Sequence, residues 1–273
     1  MNYRHAFHAG NFADCMKHAL LVWLLGALAR KPRPFFVLDT HAGPGFADLA
    51  SAPAARTGEW QQGIGRLLAD DPPEPLAPYL GLIRRLGLYP GSPALIRALL
   101  RPGDRLACCE LHPEEHALLR RRFAADPQVG VHRRDGYAAI KALLPPPERR
   151  GLVLIDPPFE HPDELAHLAT ALHTGPARFP AGVFAAWYPI KHRAPLRAFF
   201  AALQAGGPRN LVAAELWLRT PLDPARLNGC GLVVANPPWH FAEEIPPILD
   251  ALLDRLRGPD TGAGTALIRL ADA

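Results

Sequence analysis

The chain has 273 residues, of which 49% are hydrophobic and 21% charged, and its formal net charge at neutral pH is +4. This balance excludes a disordered tail, and 4 cysteines in a chain of this length exclude a disulfide scaffold. The longest apolar run, 19–29, is shorter than the roughly 20 residues of a membrane span. Since the first ten residues also lack the apolar core of a signal peptide, we expect a cytoplasmic protein with no membrane partner.

The cysteine spacing argues against a metal site or a disulfide. No C-x-x-C pair occurs, and the adjacent Cys108 and Cys109 must point to opposite faces of any strand that contains them. We therefore expect no bound metal and a reducing compartment. As a separate expectation, we take the protein to be a monomer.

Apolar periodicity predicts alternating helices and strands along the chain. The predicted helices cover 14–30, 113–125, 137–144, 163–173 and 242–256. The predicted strands cover 34–40, 105–111, 129–135, 151–156, 181–189, 210–218, 231–236 and 265–271. Near-continuous apolar strands separated by helices favour an α/β fold with a mostly parallel sheet covered on both faces. The late hairpin of 210–218 and 231–236 suggests an antiparallel edge.

One interval between the first two strands is too long for this rhythm. In a nucleotide-binding fold the acid that closes the second strand follows the glycine turn by about 20 residues, but Glu110 lies much further from Gly43. The surplus, 51–89, contains two amphipathic segments separated by prolines. We predict a main domain of 1–50 and 90–273, with 51–89 as a small inserted helical subdomain beside the active face.

Polar residues follow three successive strands. The first strand runs into the glycine-bearing turn 39–45, where a ligand can approach the backbone. No G-x-G-x-x-G or G-K-[ST] motif is present, which argues against NAD and ATP. Glu110 could accept from both hydroxyls of a ribose, and Asp135, followed by Gly136, could accept from an adenine amino group. Each acid alone could be a helix cap, but together they predict one adenosine site.

The strongest signal is Asp156-Pro157-Pro158-Phe159 after a buried strand. The two prolines fix the backbone, so the Asp156 carboxylate and the Pro157 carbonyl can each accept a hydrogen bond from one planar amine while Phe159 stacks on the base. The segment 236–239, Asn-Pro-Pro-Trp, has the same chemical pattern. We favour Asp156 because the end of a hairpin strand need not face the cofactor crevice.

These strand ends resemble those of the class I S-adenosylmethionine-dependent methyltransferases of amino nitrogens. The opening segment 3–14 with Lys17 and His18 is more specific. Together with RTGEW (56–60), YPGSP (89–93), ELHP (110–113) and AWYP (186–189), it is similar to the bacterial ribosomal RNA large-subunit methyltransferase J family over essentially the whole chain. The resemblance implies a Rossmann-like fold, S-adenosylmethionine as cofactor, 23S ribosomal RNA as partner and N6-methyladenine as product.

The resemblance also implies roles for individual residues. Asp156 matches the family's catalytic proton acceptor. The positions that match cofactor-binding residues are His18, His41, Ser92, Glu110, Asp135, Gly136 and Asp156. The expected substrate-binding residues are Tyr3, His5, Lys17, Pro157 and Phe159. Relatives often carry Tyr in place of Phe159, a change that keeps the stacking face.

Two other functions remain open from the residues alone. A DNA adenine-N6 or cytosine-N4 methyltransferase would use the same D-P-P-F chemistry, and a non-catalytic RNA-binding protein could keep the fold. Candidate phosphate contacts are Arg84, Arg85, Arg120, Arg121, Arg122, Arg133 and Arg134.

Overall fold

Helices and strands alternate along the chain in the computed structural model, which describes residues 8–50 and 56–272. The strands are β1 (Phe36–Asp39), β2 (Phe46–Ala47), β3 (Tyr89–Pro90), β4 (Arg105–Cys109), β5 (Val129–His132), β6 (Gly151–Ile155), β7 (Gly182–Ile190), β8 (Leu211–Trp217), β9 (Gly229–Ala235) and β10 (Gly264–Ala271). The helices are α1 (Phe12–Ala29), α2 (Glu59–Gln62), α3 (Ile64–Leu68), α4 (Ala77–Leu86), α5 (Ser92–Leu99), α6 (Pro113–Arg122), α7 (Gly136–Leu143), α8 (Glu164–Arg178), α9 (Arg193–Gln204) and α10 (Phe241–Leu256). A 3₁₀ turn covers Glu74–Leu76.

Eight strands form one mixed sheet in the order β10-β8-β9-β7-β6-β1-β4-β5. The five strands from β7 to β5 are mutually parallel, whereas β9 is antiparallel to both β7 and β8. The predicted hairpin of β8 and β9 therefore forms, and together with β10, which is antiparallel to β8, it makes one side of the sheet antiparallel, as predicted. Strand β9 lies between β7 and β8 and is buried throughout, and β10 occupies the edge.

Two hydrophobic cores cover the two faces of the sheet. Helices α1, α4 and α10 contribute to the first core, and α7, α8 and α9 contribute to the second. Cys108 belongs to the first core and Cys109 to the second, as the alternation of side chains along a strand predicts. All four cysteines are buried thiols.

Helix α1 is buried on nearly all sides, and Lys17 and His18 are among its buried residues. It begins two residues before the predicted start because Asn11 caps it, accepting hydrogen bonds from the backbone N–H groups of Ala13 and Asp14. The helix is long and apolar enough to cross a membrane, but 72% of it is buried inside the protein, as in the core helix of a globular fold.

The described part of the segment 51–89 is helical, as its amphipathic pattern predicts. Helix α4 packs against α1, while α3 and the 3₁₀ turn pack against α10. Ile64, Leu67 and Leu80 are fully buried members of the first core. The segment thus shares its core with the rest of the chain, and its treatment as a separate subdomain stays a prediction.

Helix α9 is a feature that the apolar pattern did not predict. It carries Pro195 in its first turn, a position where the missing N–H costs nothing, and buries Leu196, Phe199 and Leu203 in the second core. Its N-cap is His192, whose Nδ1 accepts a hydrogen bond from the N–H of Ala194.

Candidate active site

The carboxyl-terminal ends of the five parallel strands lie next to one another, at the end of the sheet that we call its carboxyl edge. The register pairs Asp39 with both Cys108 and Leu154, and Cys109 with His132. The turns after β1, β4, β5 and β6 consequently line one groove of about 1180 Å³. Pockets for a single small molecule typically have 300–1,000 Å³, so this groove has room for two ligands side by side.

The glycine turn after β1 is joined to Glu110 at the end of β4. Gly43 has a φ of +61°, which favours glycine, and its N–H donates to Oε2 of Glu110 at 2.8 Å. The N–H of His112 donates to the other oxygen, Oε1, at 2.7 Å. Backbone donors therefore orient the buried carboxylate, and each of its oxygens keeps a further lone pair for a hydroxyl group of a ligand.

His41 presents a hydrogen-bond acceptor to the groove. The hydroxyl of Thr40 donates to the carbonyl of Leu154 at 2.9 Å, so its one proton is used there. His41 Nδ1, 2.7 Å from the same hydroxyl, must then be the donor. Burial lowers the pKa of His41 despite the opposing effects of nearby carboxylates, so the ring is neutral at pH 7 and its Nε2 carries a lone pair.

Asp135 caps helix α7 and lines the groove. Its Oδ1 accepts from the N–H of Ala138 at 2.8 Å, so the cap and the groove wall are the same residue. The next residue, Gly136, packs against the turn after β1: an added Cβ would lie 2.3 Å from the Thr40 carbonyl oxygen and 2.8 Å from His41 Cε1. Glycine at this position therefore lets the two turns approach each other closely.

Ser92 lines the groove, but its hydroxyl proton points away from the groove, towards Asp39. Its hydroxyl donates to Oδ2 of Asp39 at 2.7 Å, which leaves the lone pairs of Ser92 to accept from a ligand. Asp39 is fully buried, and burial raises the pKa of its carboxyl group to about 7, with the hydrogen bond from Ser92 opposing this rise and the charge of Asp156 adding to it. The sequence identified Asp39 only as part of the turn and missed its role behind Ser92.

His18 lies deeper in the same wall. Its Nδ1 is 3.1 Å from the Tyr89 hydroxyl, which in turn is 3.5 Å from the Tyr79 hydroxyl. His18 is fully buried yet lines the groove. Two tyrosines thus fix the histidine, and neither of them was predicted as part of the site.

Asp156 forms an ion pair with Lys17 at the centre of the groove. Lys17 Nζ lies 2.5 Å from Oδ2 of Asp156 and 2.9 Å from Oδ1 of Asp14. Burial alone would lower the pKa of Lys17, but the two carboxylates outweigh it and raise this pKa above its usual value. Asp14 also accepts from the N–H of Gly10 at 3.0 Å. Lys17 is therefore a fixed cation at Asp156, and Asp14, which the sequence did not identify, holds it there.

An aromatic corner stands beside Asp156. The register pairs Ile155 with Ala186, which brings Trp187 to the level of Asp156. The rings of Phe159 and Trp187 meet edge to face with centroids 5.5 Å apart. Pro157 and Pro158 line the groove together with both rings. The segment predicted to bind the base thus lines the groove, and Trp187 is a further ring that the sequence did not assign to it.

The rival segment 236–239 lies on the opposite side of the sheet from the carboxyl edge, where the parallel strands begin. Because β9 is antiparallel to β7, Ala235 pairs with Phe184 near the start of β7. Asn236 donates from Nδ2 to the carbonyls of Pro180 and Gly182, both at 3.0 Å. The side chain of Trp239 is 81% exposed. This separation supports the choice of Asp156 over Asn236.

The structure describes only some of the residues that the sequence predicts to contact RNA. Tyr3 and His5 lie outside the described residues. Of the seven arginines predicted to contact phosphate, all of them described, Arg134 alone lines the groove. Arg84 donates to the carbonyl of Asp70, and the guanidinium of Arg122 lies 4.0 Å from the ring centroid of Phe46.

Comparisons with known proteins agree with this architecture. A sequence model of the family described as ribosomal RNA large subunit methyltransferase D, RlmJ, matches residues 32–267. Ribosomal RNA large subunit methyltransferase J of Haemophilus influenzae is 41% identical over 273 residues, and the protein of that name from Escherichia coli is 39% identical over 272 residues; each match covers 97% of both chains.

A solved structure is also similar to the chain over nearly its whole length. Protein LPL1258 of Legionella pneumophila has a TM-score of 0.88 at 34% identity, covering 96% of this chain and 98% of that one. The strand order and the groove at the carboxyl edge confirm the predicted Rossmann-like fold of class I methyltransferases. Fold, site and sequence matches lead to one conclusion: the chain belongs to the ribosomal RNA large subunit methyltransferase J family.

Proposed function

We propose that the protein transfers a methyl group from S-adenosylmethionine to the N6 amine of an adenine in 23S ribosomal RNA, in the cytoplasm. The observation that carries this proposal is the position of Asp156 and Phe159 in the same groove as the glycine turn, Glu110 and Asp135. An amine-binding segment beside an adenosine-binding wall is the arrangement that methyl transfer to a base requires. The names of the similar proteins support a large-subunit ribosomal RNA as the substrate.

The residues of the groove fit S-adenosylmethionine. Glu110 has oriented carboxylate oxygens for ribose hydroxyls, and Asp135 has a second oxygen for an adenine amino group. Ser92 and His41 offer acceptors, which suit the donor groups of a cationic ligand. The close approach at Gly136 keeps this wall flat. When bound, the cofactor supplies an electrophilic methyl group.

The amine site is built from Asp156 and the prolines. The carboxylate of Asp156 and the carbonyl of Pro157 each accept one hydrogen bond from the N6 amine, so the nitrogen lone pair points away from both. Phe159 stacks on the base, and Trp187 fixes the Phe159 ring from its edge. Lys17 holds Oδ2 of Asp156 in position. Catalysis at this site rests on orientation of the base and exclusion of water.

Mass-spectrometric mapping of modified adenines in 23S ribosomal RNA, after incubation with the protein and S-adenosylmethionine, tests the proposal. We expect one adenine to gain one methyl group, and Asp156→Ala to abolish the signal. Asp156→Asn separates two roles of the carboxylate: a variant with full activity would show that no proton transfer to Asp156 is needed.

Parallel reactions with duplex DNA and binding measurements by calorimetry address the alternatives. Methyl incorporation into DNA and not into RNA would replace the proposal by a DNA methyltransferase. Absence of S-adenosylmethionine binding would favour a non-catalytic RNA-binding protein.

A further inference from the structure

Strand β7 presents one row of side chains to the groove. Tyr188 and Ile190 are fully buried in the second core, whereas the alternate residues Trp187 and Pro189 are half-buried and line the groove. Lys191, the first residue after β7, is exposed and lines the groove as well. Because alternate side chains of a strand share a face, Trp187 and Pro189 form a row, and Lys191 extends this row along the groove wall just beyond the end of β7.

The row leads from the reacting amine site to the surface. Its inner end is Trp187, which lies beside Asp156 and contacts the ring of Phe159. Its outer end is Lys191, one residue beyond β7; the strand from Trp187 to Ile190 spans about 10 Å of this separation. Along this distance the side chains change from the aromatic ring of Trp187, through the ring of Pro189, to the ammonium group of Lys191.

The loop between β8 and β9 is fastened to the outer end of the row. Asn228 is fully buried, and its Nδ2 donates to the carbonyls of Lys191 and Asp223, both at 2.7 Å. Its backbone N–H donates to the carbonyl of Ile190 at 3.0 Å. Arg226, two residues before Asn228, also lines the groove. The positions of Lys191 and Arg226 are therefore fixed relative to each other.

Positive charge exceeds negative charge at this end of the groove. Arg219 and Arg226 share one carboxylate, that of Asp260, at 2.6 Å and 3.8 Å. In the described ranges no carboxylate lies within ion-pair distance of Lys191. Asp260 lies in the connection between α10 and β10, whereas the acid of the β8–β9 loop is Asp223, whose Oδ1 accepts from the N–H of Ala225. Lys191, Arg219, Arg226 and Asp260 all line the groove, so among these four residues positive charge exceeds negative charge.

We propose, on the basis of the function proposed above, that Trp187, Pro189, Lys191 and Arg226 form the path by which the RNA strand reaches Asp156. We call these four residues the β7 path. Lys191 and Arg226 contact phosphates next to the target nucleotide, and the rings of Trp187 and Pro189 contact the sugar and base that pass between them. In the sheet, β7 lies on one side of β6, and the strands that lead to Glu110 and Asp135 lie on the other, so the path and the adenosine wall are on different sides of Asp156.

Fluorescence anisotropy with a labelled RNA hairpin whose loop contains adenines tests the path. The variant is Lys191→Ala combined with Arg226→Ala. The matched control is Lys141→Ala combined with Arg197→Ala, which removes two exposed cations from helices on the other face of the sheet. We expect the path variant to bind the hairpin about tenfold more weakly, and its slope of log affinity against log salt to fall by about two.

The control variant should bind the hairpin as the unmodified protein does. A path variant with the affinity and salt slope of the control would overturn the inference. Two further measurements on the same preparations distinguish failure of the path from failure of the proposed function. They are calorimetry with S-adenosylmethionine and methylation of a 23S ribosomal RNA transcript. If the unmodified protein methylates RNA and the path variant matches the control, the path alone is wrong; if the unmodified protein methylates no RNA, both proposals fall.

Discussion

Lys17 is the most constrained charge in the groove, since it lies between two carboxylates and has little contact with water. Removal of one partner from a buried ion pair leaves an uncompensated charge, which costs about 3–5 kcal/mol. Lys17→Met keeps the aliphatic stem and removes the ammonium group. We expect the free energy of unfolding to fall by about this amount and methyl transfer per folded molecule to fall at least about 100-fold.

Urea unfolding and a methyl-transfer assay would measure both effects. The double variant Asp14→Asn with Lys17→Met serves as the control, because it removes one of the two unpaired carboxylates and should recover part of the stability but not the activity. Equal stability of Lys17→Met and the unmodified protein would contradict the ion-pair assignment.

Asp39 should make stability depend on pH. Its pKa is raised from an ordinary 3.8 to about 7, so the folded protein keeps a proton that the unfolded chain loses above about pH 4. The free energy of unfolding should therefore decrease as the pH rises from about 4 to 7, and then level off. Asp39→Asn removes this decrease, and its advantage over the unmodified protein should reach a few kcal/mol at pH 8 and vanish at pH 4.

Urea unfolding at pH 4, 6 and 8 would measure this difference. Asn keeps an acceptor for Ser92, so the comparison isolates the titration of the carboxyl group. A constant difference between the two proteins over this range would show that Asp39 does not titrate there.

At the scale of elements, two glycines in helices should respond oppositely to alanine. At Gly136 an added Cβ would overlap the Thr40 carbonyl oxygen, whereas at Gly26, within α1, nothing lies within 4 Å among the described atoms. Gly136→Ala should lower stability by about 1–3 kcal/mol and weaken S-adenosylmethionine binding, because the turn after β1 must move. Gly26→Ala should raise stability by up to about 1 kcal/mol, because alanine favours the helix.

Thermal unfolding and calorimetry on both variants would check this pair. Unchanged cofactor affinity in Gly136→Ala would show that the two turns can separate without consequence for the site.

Most elements could be predicted because their apolar patterns are local. The buried strand before Asp156 and the capped helix α1 each have a pattern that admits one reading. The position of β9 between β7 and β8 could not be predicted, because pairing of strands distant in sequence leaves no local signal. Helix α9 was missed since its early proline resembles a loop, although a first-turn proline is compatible with a helix.

In the candidate site, too, residues could be predicted only where the local sequence carries a signal. Asp156, Glu110 and Asp135 could be predicted because each follows a strand, and strand ends meet at one edge. Asp14 and Trp187 could not be assigned a role, since their importance comes from contacts with Lys17 and Phe159 that the fold alone creates.

At the scale of the whole molecule, the sheet separates two similar proline segments. Asn236→Ala should leave methyl transfer per folded molecule unchanged, because Asn236 lies at the edge of the sheet opposite Asp156. It should lower the free energy of unfolding by about 2–3 kcal/mol, since two side-chain hydrogen bonds are lost and alanine is strained at the φ of +53°.

Parallel measurement of Asn236→Ala and Asp156→Ala would test this separation. Loss of activity in a stable Asn236→Ala protein would transfer the catalytic role to the segment 236–239.

The burial of α1 has a consequence for the order of events during synthesis. Lys17 and His18 leave the ribosome early, but Trp23 and Arg30 of the same helix donate to Glu244 in α10, near the end of the chain. Until α10 has emerged, the apolar surface of α1, the helix that carries Lys17, has no partner on that side. A nascent chain in which α10 has not yet been made should therefore be unable to bury α1 as the folded protein does.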